Sequence, residues 1–197
     1  MAKETTMTIE QIESLLVAYP DSPFYCRQHL VIPNVDWGFL NHEADLLIVS
    51  KAGYLTEVEI KRTWADFKAD FKKKHTHYDS KLSHFYYAVP EKIAQKVFDF
   101  LYVGKLDISN RWSRSKVDSY TEVNVNKCGL IVYKDPDEFY KFGNYCITVG
   151  ATNMGDYKIS DEEEKKLLRL LGLRVWSLKN KISKLQIKIN ENENIKH

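Results

Sequence analysis

Cysteine is scarce in this 197-residue chain. The three residues, Cys26, Cys128 and Cys146, are scattered, odd in number and include no CxxC pair. That excludes a disulfide framework and a cysteine zinc site, and a reduced, cytoplasmic setting is expected. No apolar run reaches the ~18 residues that a membrane-spanning helix needs. The opening MAKETTMTIEQ lacks the apolar stretch of a signal peptide. Neither sign of charge dominates, since 29 Lys and Arg against 27 Asp and Glu leave a net of +2, so the total says little about partners. What the chain does have is apolar material: 44% hydrophobic and 13% aromatic residues, enough for a core and too much for general disorder. The length suits one domain with an appendage.

Periodicity orders the elements. Thr8 and Gln11 form a capping-box pattern, and Ile9, Ile12 and Leu16 follow at helical spacing, which predicts a helix over 9–18 ending before Pro20. RQHLVI (27–32), ADLLIVS and YLTEVEIK read as strands, the last two as a hairpin. Residues 63–80 place Trp64, Phe67, Phe71 and Tyr78 on one helical face. A strand over 84–89, a helix over 91–101 and a strand over 129–134 follow. The strands flanking the 63–80 helix form a βαβ crossover and should be parallel. The expectation is an α/β domain over 1–150, a mixed sheet flanked by helices, with 103–127 a polar insertion. Ser160 and Glu163 open a C-terminal amphipathic helix over 160–187, whose stripe of Leu167, Leu171, Val175, Leu178, Ile182 and Leu185 would pack on the domain or on a partner, a second copy included. A polar tail, 188–197, is expected to fray.

The hairpin concentrates charge at its open end. Lys51-Ala52-Gly53 suits a three-residue loop with Gly53 in the left-handed region, so opposed positions sum to 104. Asp45 then lies opposite Glu59 and Glu43 opposite Lys61. One face carries Ala44, Leu46, Ile48, Thr56, Val58 and Ile60; the other carries Leu47, Val49 and Leu55 near the turn, and Glu43, Asp45, Glu57, Glu59 and Lys61 at the open end. Opposed Cβ atoms are about 4.5–5.5 Å apart. Carboxylates that close repel unless one takes a proton or a cation intervenes, and oxygen ligands of this kind suit Mg2+. The plain alternative is a set of solvated charges, which sits poorly with Leu47, Val49 and Leu55 on the same face.

Asp45, thirteen intervening residues and then Glu59-Ile60-Lys61 resemble the PD-(D/E)XK nuclease signature. The order helix, three strands, helix, strand resembles that superfamily's restriction-endonuclease-like αβββαβ core. The segment EADLLIVSKAGYLTEVEIKRTWADFKADFKKKH, with FYYAVPEKI after it, is similar to the MmcB-like endonuclease family associated with DNA repair. The proline that names the motif is absent, and Ala44 precedes Asp45. The resemblance covers 43–93 well and 129–134 weakly, and not the C-terminal third. It implies a Mg2+-dependent DNA endonuclease (Mn2+ substituting) acting in repair or recombination. Asp45, Glu59 and the Ile60 carbonyl would hold the metal, and Lys61 would orient the attacking water. Glu43 and Glu57 would bind a second metal or bracket Lys61. Members of the superfamily add an acidic residue from the first helix; Glu13 is the candidate, its alternative a glutamate that snorkels to water, and Glu10 lies at the edge of the same face.

From Lys61 to His77 there are six Lys or Arg against two Asp. Arg62, Lys68, Lys72, Lys73 and Lys74 would form a phosphate track beside the site. Alternatively they form a solvated face in which Arg62 pairs with Asp66 and Lys74 with Asp70. His75 and His77 have the wrong spacing for a metal pair on one helical face. Lys105, Arg111, Trp112, Arg114 and Lys116 could grip single-stranded nucleic acid, or belong to a surface insertion. Two rival functions remain: a DNA-binding module of the same fold without catalysis, and an interaction protein working through its last helix.

Overall fold

The computed structural model describes residues 4–35, 38–72, 79–103, 121–122, 128–138 and 140–194, with side chains at all of these except 103, 121–122, 188 and 190–194. The chain forms two units, Met1–Lys158 and Ile159–His197.

In the first unit, the Thr8 capping box opens α1 (Ile9–Val17): Thr8 Oγ1 accepts from the Gln11 amide, and Gln11 Oε1 accepts from the Thr8 amide at 2.8 Å. β1 (Leu30–Val35) starts three residues later than the expected 27–32, because Gln28 and His29 spend their amides on the Tyr25 carbonyl in a turn. Pro33 within β1 is tolerated because β1 is an edge strand. β2 (Ala44–Val49) and β3 (Leu55–Ile60) form the expected hairpin, with Gly53 at φ +84°. Their register sums to 104, as in Leu46 opposite Val58 and Leu47 opposite Glu57.

α2 (Trp64–Asp70) is shorter than expected, capped by Thr63 and ending at Phe71 rather than running to 80. Lys68 and Lys72 are like charges four apart, and a further lysine run follows, which opposes continuation. Residues 73–78, and with them Tyr78, lie outside the described residues. β4 (Leu82–Pro90) runs parallel to β3, as the crossover requires, and α3 (Glu91–Leu101) follows from Pro90. β5 (Tyr102–Val103) pairs with β6 (Thr121–Glu122); the rest of 103–127 lies outside the described residues. β7 (Gly129–Lys134) lies parallel to β4, and β8 (Asn144–Val149), unforeseen in the sequence, closes the far edge antiparallel to β7. The fold is α/β, with a six-stranded mixed sheet ordered β1-β2-β3-β4-β7-β8.

The sheet is covered on both faces. Ile12, Leu15 and Leu16 of α1 meet Leu46, Ile48, Val58, Ile60, Ala88 and Ile131. On the other face Phe67 of α2 and Ile93, Val97 and Phe98 of α3 meet Phe85, Tyr87, Leu130 and Val132. Each large side chain buried this way stabilises the fold by roughly 1.5–3 kcal/mol. This second face is the one that carries Glu57, Glu59 and Lys61, so their burial follows from the packing of α2 and α3. The second unit contains one long helix, α4 (Asp161–Asn194), which continues past the expected end at 187. No proline or glycine follows Gly172 to stop it.

Candidate active site at the open end of the β2–β3 hairpin

The hairpin ladder ends at Leu46 opposite Val58. Beyond it the register would place Ala44 opposite Ile60. The Ile60 amide instead donates to Oδ2 of Asp45 at 2.7 Å, so the strands part where the charges lie. Lys61 follows β3, its amide held by the Ala88 carbonyl at 2.9 Å and its own carbonyl by the Tyr133 hydroxyl at 3.2 Å. The side chains of Glu59 and Lys61, two apart, emerge on the same face. Lys61 Nζ lies 2.8 Å from Glu59 Oε1 and 2.6 Å from Asp70 Oδ2, all three residues being buried. Burial alone would push the Lys61 ammonium toward neutrality, but the Glu59 and Asp70 carboxylates more than offset it and hold the proton more firmly than usual.

Asp45 sits at the same end, and its carboxyl is pushed above the ordinary range, chiefly by burial; the Ile60 amide and Lys61 act against this, and the nearby Asp70 and Asp66 reinforce it. Glu13 reaches this neighbourhood from α1. Burial, then the charges of Asp45 and Glu10, push its carboxyl up to about 7, and its buried Oε1 has no hydrogen-bond partner. Glu13 is half-buried, whereas Glu10 is exposed and its carboxyl is held low by backbone and Thr8 hydrogen bonds.

Two expected members do not join. Glu43 precedes β2, is exposed and makes no ion pair with Lys61. Glu57 is fully buried, but its Oε2 lies 2.7 Å from Nε2 of the buried His42, whose Nδ1 lies 2.6 Å from Asn41 Oδ1. The expected bracket of Lys61 by Glu43 and Glu57 is thus a bracket by Glu59 and Asp70. The physical reason is that the strands part before Glu43, and α2 brings Asp70 over the face instead.

His42 had no role in the sequence reading, and Asp70 entered it only as the partner of Lys74 in the alternative of a solvated face; Lys74 lies outside the described residues, as does Lys73. The signal for Asp70 was its place three residues after Phe67, on the buried face of α2. Along the basic track, Arg62 is half-buried and its amide, rather than its guanidinium, faces Asp66 Oδ2 at 3.4 Å. Lys68 is exposed, with Nζ 5.5 Å from the centre of the Trp64 ring, and Lys72 is exposed. His75, His77 and the residues from Lys105 to Lys116 are outside the described residues.

The donor chemistry fits a hard divalent cation. Partial burial near like charge raises the carboxyls of both Glu13 and Asp45, and a cation beside them would act in the opposite direction. Among the described residues, however, no group of three or more His, Cys, Asp or Glu side chains is arranged to hold a metal ion. Glu59 directs Oε1 at Lys61, so it would have to turn from Lys61 to join Asp45 and Glu13.

Glu13 gives a pH prediction for the metal-free protein. Its folded-state value of about 7 lies above the ordinary 4.5, so the stability of its neutral form is present below about pH 4.5 and is lost as pH rises through about 7. Allowing for screening at a half-buried site, the loss is on the order of 1–2 kcal/mol. In EDTA, Glu13→Gln should raise the melting temperature at pH 8 and change it little at pH 4.5. A lower melting temperature at pH 8 would show that the charged form is favoured.

No family model matches the sequence, and no curated protein matches it. Among solved structures, a protein of unknown function from Silicibacter pomeroyi is similar at 13% identity, covering 82% of this chain and 84% of that one with a TM-score of 0.46.

Proposed function

We propose that the chain is a Mg2+-dependent DNA endonuclease of the PD-(D/E)XK type, related to the MmcB-like family and acting in DNA repair or recombination. The observation that carries this reading is the ion pair of Glu59 with Lys61 next to the point where the hairpin parts and Asp45 takes the Ile60 amide, with Glu13 near Asp45. Asp45, Glu59, Glu13 and the Ile60 carbonyl would hold the ion. When bound, such an ion supplies a nucleophilic water at neutral pH and stabilises charge on the phosphate. Lys61, kept cationic by Asp70, is a charge-stabilising and positioning group rather than a base. Lys68 and Lys72, exposed beside the site, would contact DNA phosphates.

One observation favours a second reading, a DNA-binding module without catalysis. Glu59 and Asp70 neutralise Lys61 in a closed internal cluster, as a purely structural ion pair would. Metal titration separates the two readings. Isothermal titration of Mn2+ into the nuclease should show binding that Asp45→Asn and Glu59→Gln each weaken; absence of Mn2+ binding to the wild-type protein would favour the module. Cleavage should require Mg2+ or Mn2+, and cleavage undiminished by EDTA would overturn the metal assignment.

The basic track has its own test. Each duplex phosphate that a lysine neutralises adds roughly 0.9 to the slope of log affinity against log salt. Replacing Lys68 and Lys72 by Ala should therefore reduce the slope by about 1.8, for all sequences alike. An unchanged slope would assign both lysines to solvent.

A further inference from the structure

The apolar side chains of α4 are largely exposed, and their order is regular. Leu168, Leu171, Val175, Leu178, Ile182, Leu185 and Ile189 follow one another at alternating intervals of three and four. Six of them, all but the half-buried Leu171, leave 44–59% of their surface exposed. This is a heptad seam over three repeats, with Leu168, Val175, Ile182 and Ile189 at the a positions and Leu171, Leu178 and Leu185 at d. A straight helix drifts away from such a seam; two helices that wind about each other keep it covered.

We propose that α4 pairs with α4 of a second copy of this chain as a parallel, in-register, two-stranded coiled coil. The choice of occupant rests on the core residues. β-branched side chains at a with leucine at d favour two parallel strands, whereas leucine at a with isoleucine at d favours four. Three of the four a positions are Val or Ile, and all three d positions are Leu. In parallel register each a side chain meets its own copy, so Ile182 packs on Ile182.

The size suits a weak self-pair. From Leu168 to Ile189 the seam runs ~32 Å at about 1.5 Å per residue. With roughly 100 Å2 of apolar surface on a large side chain, the exposed core positions of a pair bury ~600 Å2. The stems of Lys179, Lys181 and Gln186, which flank the seam, add to this and bring it toward the ~1,200 Å2 of a specific interface. Arg174 at g faces Lys179 at e of the second copy, a like-charge contact that weakens the pair, so the test is made at about 100 µM protein.

The full-length chain, in sedimentation equilibrium, should show twice its 23.1 kDa mass. Leu178→Lys with Ile182→Lys should return it to the monomer mass, with the thermal unfolding of the sheet unit unchanged. Trp176→Lys, exposed but off the seam, should leave the dimer intact. Orientation is read by oxidising Ile189→Cys in a chain with Cys26→Ser and Cys146→Ser. Parallel register links Ile189→Cys to itself, whereas an antiparallel pair holds the two positions ~32 Å apart. A wild-type monomer at this concentration, a dimer that survives the double lysine variant, a mass above the dimer, or absence of the cross-link would each overturn the proposal.

Discussion

Lys61→Ala is expected to cost the protein about 3–5 kcal/mol of stability as well as the cleavage activity proposed for it. The ammonium is the shared partner of Glu59 and Asp70, and all three are buried. Removing it leaves two carboxylates in a low-dielectric site with no counter-charge between them. The loss should shrink in acid, where both carboxylates take protons, and should be smaller at pH 4 than at pH 8. Asp70→Asn introduced with Lys61→Ala should recover part of the stability, since one of the stranded charges is gone, but none of the activity. Urea melts of the two single variants and the double variant measure this directly. A loss under about 1 kcal/mol for Lys61→Ala would mean that the cluster is solvated, as exposed ion pairs are. Metal binding should survive Lys61→Ala, because the variant removes a cation and no oxygen ligand.

Asp45→Asn and Glu59→Gln are each expected to abolish the proposed turnover, a fall of at least ~100-fold, by removing a proposed hard anionic ligand with little change of shape. Their stabilities should diverge. Asp45 is half-buried and its carboxyl is raised above the ordinary range, and an Asn amide oxygen can still accept from the Ile60 amide. In EDTA its melting temperature should be unchanged or higher. Glu59→Gln takes away one of the two anions on Lys61, so its melting temperature should fall. Retention of Mn2+ binding and turnover by both variants, with loss of binding in Lys61→Ala, would require the roles to be redrawn.

The hairpin was legible because a short loop converts spacing into register. Once Gly53 fixed the turn, alternation set the face of every residue from Leu46 to Val58, and the ladder keeps that register. Alternation fails where the ladder ends. Glu43 was assigned by extending the register past the point where Asp45 takes the Ile60 amide, and Glu57 was assigned by face alone, without the long-range approach of His42. Asp70 illustrates the same limit from the helix side. Its i+4 lysine offered a local pair, and only the packing of Phe67 against Phe85 and Tyr87 shows that its face is turned inward. β8 escaped notice because its residues alternate poorly, with Ile147 exposed and Thr148 buried. Composition told nothing of these, since each depends on contacts between residues distant in the chain.

The carboxylates at the parted end of the hairpin are proposed to cut DNA with a divalent ion. Nicking of supercoiled plasmid by the wild-type protein and by Asp45→Asn, side by side in Mg2+ and in EDTA, tests it most directly. Relaxed plasmid is expected from the wild-type protein in Mg2+, and intact supercoiled plasmid in the other three conditions. Equal nicking by Asp45→Asn in Mg2+, or no nicking by the wild-type protein while it binds the plasmid, would contradict it.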